Sequence, residues 1–258
     1  LGEHDDLGRA LEVFDGRHGH GLAGAGDDLA QPRDHPAQHD PLLIELKTTV
    51  VEEKSEAGFN FALAFFPAMV FMSLMFTAQG FSEDIWRERE QGTLRRVATT
   101  PGRLEAFLAG KLAAVAVLAT LVGAVALAGG RWLVGIQVAR WLTALLWLTL
   151  SGTALHLLLL GVQLHASTAR AGNVLSAVVM FPLMMMGGAF FPFELMPAWM
   201  AAIGRWTPNG WMLVEFKAIL AGTGEPARLA AGAAATAGLG VAAFGIVLRR
   251  LRGAFLRT

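Results

Sequence analysis

The stretch SEDIWREREQGTLRRVATTPGRLEAFLAGKL, residues 82–112, decides how this chain is read. It carries Glu83, Asp84, Arg87, Glu88, Arg89, Glu90, Arg95, Arg96, Arg103, Glu105 and Lys111, yet the runs on either side, 57–82 and 112–130, hold no charged residue. Further runs without Asp, Glu, Lys or Arg cover 141–169, 171–193 and 229–248. Roughly 20 apolar residues cross a hydrocarbon core, and each central Asp, Lys or Arg costs about 2.5–3.5 kcal/mol on insertion scales. The pattern therefore predicts five transmembrane helices, at about 60–81, 107–129, 141–163, 172–193 and 227–248, with the charged segment as the loop after the first. With 54% hydrophobic and 16% charged residues and a mean hydropathy of +0.48, the composition agrees with an all-α polytopic membrane protein.

The formal net charge is zero, so no global field points to nucleic acid. Cysteine is absent, which excludes disulfides, thiolate metal sites and cysteine nucleophiles. Local charge placement carries the orientation. Arg87, Arg89, Arg95, Arg96, Arg103, Arg170, Arg249, Arg250, Arg252 and Arg257 fall on one side of the spans, against Arg131, Arg140, Arg205, Lys217 and Arg228 on the other. Because Lys and Arg concentrate on cytoplasmic loops, the charged segment and the C-terminus are expected in the cytoplasm. Residues 1–56 are then outside, as an extracytoplasmic remnant, with strand-like PLLIELKTTVVEEK from Pro41. Nothing ahead of them resembles an anchor, and the chain begins with Leu1, so a sixth, N-terminal transmembrane helix is expected to be missing.

Enzymatic chemistry finds little support. His4, His18, His20, His35 and His39, among Asp5, Asp6, Asp34 and Asp40, match no zinc spacing. LAGKL at 108–112 is not a phosphate loop: Glu105 stands where the first glycine is required, and Leu112 replaces the magnesium-binding Ser or Thr. His156 has Ser151 five residues before it, off the helical neighbour spacing, and reads as a histidine hydrogen-bonded inside the bundle. None of the five central stretches holds an Asp, Glu, Lys or Arg of the kind that couples ion-driven transporters, so energy is expected to enter through a cytoplasmic contact.

Residues 82–105 suit that contact. The segment is acidic first and basic afterwards, the order of a helix leaving the first span, breaking near Gly92 and restarting through TLRRVATTP, with Thr93 as its cap and Pro101-Gly102 as its stop. A solvated loop accounts for the arginines alone. The balance of signs argues against a polybasic lipid patch and suits the docking of one specific protein. A second unusual stretch, MFPLMMMGGAFFPFELMPAWMAAIGRWTPNGWMLVEFKAILAG at 180–222, combines adaptable Met and Phe with Gly187-Gly188. Pro192 and Pro197 are expected to stop its helix, two short amphipathic pieces to follow at about 195–205 and 209–220, Trp199, Trp206 and Trp211 to sit in an interfacial belt, and Glu194 and Glu215 to lie near the outer mouth.

With REREQGTLRRVATTPGRLEAFLAGKL (87–112) and GGAFFPFELMPAWM followed by TPNGW (187–211), the chain resembles the permease subunits of ABC-2 type exporters, over about 60–258. The resemblance implies a half-transporter of six transmembrane helices that pairs with a second permease copy or paralogue and binds cytoplasmic ABC ATPase subunits, which hold the ATP and Mg; the permease itself has no cofactor and no catalytic residue. It implies that Arg87, Glu88, Arg89, Glu90, Gly92, Thr93, Leu94, Arg95 and Arg96 lie in or beside the coupling helix, and that short re-entrant helices precede the last span. The location it implies is a bacterial inner (plasma) membrane. The expected substrate is a drug, lipid or glycolipid passing along the dimer interface, where Phe71, Met75, Met184 and Phe190 are expected to line the path. An ion-coupled transporter and a membrane enzyme using His156 are the rival readings.

Overall fold

The computed structural model describes residues 61–98 and 103–255. The expected extracytoplasmic remnant, its strands, the N-terminal His/Asp group and the Pro101-Gly102 stop lie outside them. The described residues form α-helices α1 (Phe61–Glu90), α2 (Thr93–Ala98), α3 (Arg103–Leu133), α4 (Trp141–Gln163), α5 (Ala169–Met186), α6 (Ala198–Gly204), α7 (Pro208–Ala221) and α8 (Pro226–Phe255), with a 3-10 turn at Phe193–Leu195. Five of these, α1, α3, α4, α5 and α8, are long and apolar enough to cross a membrane.

Helix length explains how charge and grease share one element. At 1.5 Å per residue, the 30 residues of α1 run about 45 Å, beyond a hydrocarbon core of about 30 Å. Its last two turns, with Glu83 to Glu90, therefore project past the apolar layer. α4 is apolar around its whole circumference, the signature of a helix enclosed by others. It packs against α1, α3, α5, α7 and α8. Small residues bring it close to α3: a Cβ on Gly152 would stand 2.9 Å from that of Ala119, and the Thr120 and Thr149 hydroxyls meet at 2.8 Å. In a lipid environment close approach and interhelical hydrogen bonds supply what hydrophobic exclusion supplies in water. The outward faces stay apolar: Val117, Leu121 and Val125 on α3, Val174, Val178 and Phe181 on α5, and Val241 and Ile246 on α8 are exposed. Such a surface fits hydrocarbon and not water.

α5 ends earlier than its sequence suggests. Its hydrophobic run continues to Phe193, but the helix stops at Met186, where Gly187 caps it and Gly188 takes φ 82°. That left-handed conformation suits glycine, which has no Cβ to clash with the following carbonyl. Pro192 and Pro197 do not stop this helix; they stand at the N-caps of the 3-10 turn and of α6. Thr207 caps α7 by accepting from the Gly210 amide, with Pro208 in the first turn. The returning chain is tied to the α3–α4 turn, since the Ala139 amide donates to Leu220 O at 3.4 Å and Arg140 donates to Gly224 O at 3.3 Å. By this topology α6, α7 and the α3–α4 turn occupy the end of the bundle opposite α2.

Candidate functional site

The charged segment folds as a short helix on an apolar mount. α1 runs to Glu90 with Arg87 and Arg89 in its last turn, where the helix dipole favours cations. The Gly92 amide closes that end on Arg89 O at 3.2 Å, and the Gly92 carbonyl accepts from the Arg96 amide at 3.2 Å. Gly92, at φ 71°, thus ends one helix and caps the next. Thr93, expected as that cap, is instead the first helical residue of α2; the left-handed turn puts the cap one position earlier.

Six residues cannot hold a helix by backbone bonding alone, so α2 depends on what it touches. Leu94 is 2% exposed and belongs to a cluster with Ile85 and Trp86 of α1, Leu104 and Leu108 of α3, Leu160 of α4, and Val247 and Leu251 of α8. Arg87, Arg89, Glu90, Thr93, Arg95 and Arg96 are exposed around it. Arg87 approaches Asp84 at 3.6 Å, and the Arg89 guanidinium lies 5.5 Å from the Trp86 ring centre. Glu88 differs from its neighbours: it is half-buried and accepts from Lys111 of α3 at 3.1 Å. Arg252 of α8 pairs with Glu105 of α3. The segment therefore presents a mixed-charge surface outward while one leucine and one carboxylate hold it against three long helices.

A polar interlock lies one layer deeper. The Trp86 indole N–H donates to Gln163 Oε1 of α4 at 2.8 Å, and Gln163 Nε2 donates to Asn173 Oδ1 of α5 at 3.4 Å. Gly172 admits this group, because a Cβ there would stand 2.7 Å from Trp86 Nε1. Farther up, Ser82 Oγ lies 3.3 Å from His156 Nδ1, which is also 3.3 Å from Ala78 O. His156 is thus bonded within the bundle. The Ser82 hydroxyl proton already goes to Ala78 O at 2.7 Å, so the pair joins α1 to α4 and lacks the arrangement of an activated nucleophile. Sequence reading did not find Trp86, Gln163 or Lys111 as members of this region. The available signals were a glutamine at the end of an otherwise apolar span and a lysine six residues after Glu105.

The residues expected along a substrate path separate. Phe71, Met75 and Met184 have no exposed surface and sit in the core cluster of this one chain, where Phe71 packs on Phe216 with ring centres 5.8 Å apart. Phe190 is exposed and stacks near Phe181. At the far end, Glu194 accepts from Lys217 at 2.8 and 2.9 Å, and Glu215 accepts from Arg228 at 2.7 Å.

No curated protein and no solved structure matches the chain. Residues 22–249 match the family model described as ABC-2 family transporter protein. Given that match over most of its length, and a bundle of five helices able to cross a membrane, the chain belongs to the ABC-2 transporter family, as a membrane component of the transporter.

Proposed function

We propose that the protein is the permease subunit of an exporter for hydrophobic or amphipathic molecules, driven by ATP hydrolysis on a separate cytoplasmic ATPase that docks on residues 87–96. The observation that carries this reading is the mount of α2: Leu94 is buried against α1, α3 and α8 while charged residues of both signs surround it at the surface. A force applied to that surface reaches α1, α3 and α8 together. Trp86, Gln163 and Asn173 extend the connection to α5. The membrane pathway forms between two permease copies or paralogues. Of the apolar residues expected along it, Phe190 is at a surface in this conformation, whereas Phe71, Met75 and Met184 would meet substrate only when the surrounding core opens.

Coupling is tested with the complex. The chain is expected to copurify with an ATPase, and Glu90→Arg is expected to leave that complex assembled while ATP hydrolysis no longer responds to substrate. Gly92→Ala, which forces an L side chain into φ 71° at about 1–2 kcal/mol, should act the same way. If a variant with residues 87–96 scrambled binds the ATPase as well as the parent does, the docking assignment is wrong.

A further inference from the structure

At the α2 end of the bundle, an open groove of about 640 Å³ runs along the outer face of α5. His165, Ser167, Thr168 and Arg170 line its first part, and Val174 and Val178, one and two turns farther along the helix, line the rest. The exposed apolar stripe continues through Phe181 and Met185, and the spacing of four, three and four residues keeps all four side chains on one face. At 1.5 Å per residue, Arg170 to Phe181 spans about 16 Å, close to half of a hydrocarbon core of about 30 Å. The groove is therefore polar at one end and apolar for the depth of one membrane leaflet, the order of parts in a lipid molecule.

Charge selects among lipids. No described lining residue is a carboxylate. Arg170 is exposed and makes no ion pair or side-chain hydrogen bond among the described residues. Arg250 of α8 reaches the same end: His165 Nδ1 stands 2.7 Å from Gly161 O, and an imidazole that donates there keeps Nε2 to accept from Arg250 at 2.9 Å. An uncharged partner thus positions the Arg250 guanidinium without cancelling its charge, and Glu105 is already taken by Arg252. Basic pockets beside transmembrane helices hold anionic headgroups. We infer that the groove binds one anionic phospholipid of the leaflet on the α2 side, with its phosphate at Arg170 and Arg250 and an acyl chain along Val174, Val178 and Phe181. A zwitterionic lipid brings its own cation to the two arginines and binds less well. The inference stands apart from ATP coupling: binding is read without nucleotide or ATPase, and its failure leaves the docking on residues 87–96 untouched.

The test is native mass spectrometry of the purified full chain with phosphatidylglycerol and phosphatidylcholine of identical acyl chains. The parent should retain phosphatidylglycerol several-fold better. Arg170→Met and Arg250→Met, both at exposed positions where the fold should survive, should each lower its retention by about fivefold, the weight of one arginine at an anionic headgroup. Arg131→Met, the same loss of charge at the opposite end of the bundle, should leave the preference unchanged. Val174→Trp, which fills the apolar part of the groove, should lower retention of both lipids alike. Equal retention of the two lipids by the parent, as when a second copy of the chain covers this face, overturns the assignment. So does an equal fall in Arg131→Met, which would mean surface charge without a site, or unchanged retention in Val174→Trp. Glycerophosphoglycerol, which has no acyl chains, separates the sources: binding as tight as that of the lipid would mean a soluble phosphate ester and would overturn the lipid assignment.

Discussion

Leu94→Ala isolates the mount of the coupling segment from its charges. The substitution removes three carbon atoms from a side chain on a helix that packs against α1, α3 and α8, and alanine is the better helix former, so α2 loses anchoring and not helicity. Leucine-to-alanine changes at buried sites cost about 2–5 kcal/mol. The large core cluster around α4 contains no residue of α2, so the loss should fall on local opening of the segment and leave the bundle folded. At about 1.4 kcal/mol per factor of ten, even 2 kcal/mol raises the open population roughly 30-fold. Tryptic cleavage after Arg95 and Arg96, followed by mass spectrometry with the protease dilute enough that reclosing outpaces cutting, reads that population. The expected result is faster cleavage by about that factor or more, an unchanged thermal midpoint for the bundle, and weaker substrate-stimulated ATP hydrolysis in the assembled complex. Cleavage at the parent rate would show that α2 is not held by Leu94, and coupling through it would lose its physical basis.

Two further outcomes follow from single contacts. Gly204→Ala should abolish the native far end, because a Cβ there collides with the Met186 carbonyl, a backbone atom that cannot swing away; a midpoint within about 2 °C of the parent would refute this. Glu88→Ala should destabilise the purified protein more than Lys111→Met does. The first strands a lysine whose side chain is only 9% exposed, whereas the second removes that charge and leaves the more exposed of the two partners, a glutamate side chain 25% exposed; equal midpoints in a detergent melt would contradict it.

Much of the architecture was legible because charge in hydrocarbon is so costly. A stretch such as 141–163 has no stable alternative to spanning, and its ends match α4. The short helices near 195–205 and 209–220 were expected, but what starts them was not: Pro197, read as a stop, and Thr207 stand at the N-caps of α6 and α7. The end of α5 was not legible, since Met, Gly and Phe are apolar whether or not the helix continues through them, and only the left-handed turn at Gly188 decides.

The sequence by itself determined that five stretches are long and apolar enough to cross a membrane, that a segment of balanced charge separates the first two, and which family the pair of motifs resembles. Tertiary structure alone decided which residues meet: Leu94 with α1, α3 and α8, Glu88 with Lys111, and Trp86 with Gln163. It also sealed Phe71, Met75 and Met184 inside the bundle and left Phe190 at the surface. The reason is physical. In a membrane span both the lipid-facing and the helix-facing sides are apolar, so hydrophobic periodicity, which tells inside from outside in water, has no contrast to display. Which face turns inward is then decided by small residues, hydrogen bonds and ion pairs between helices distant in sequence.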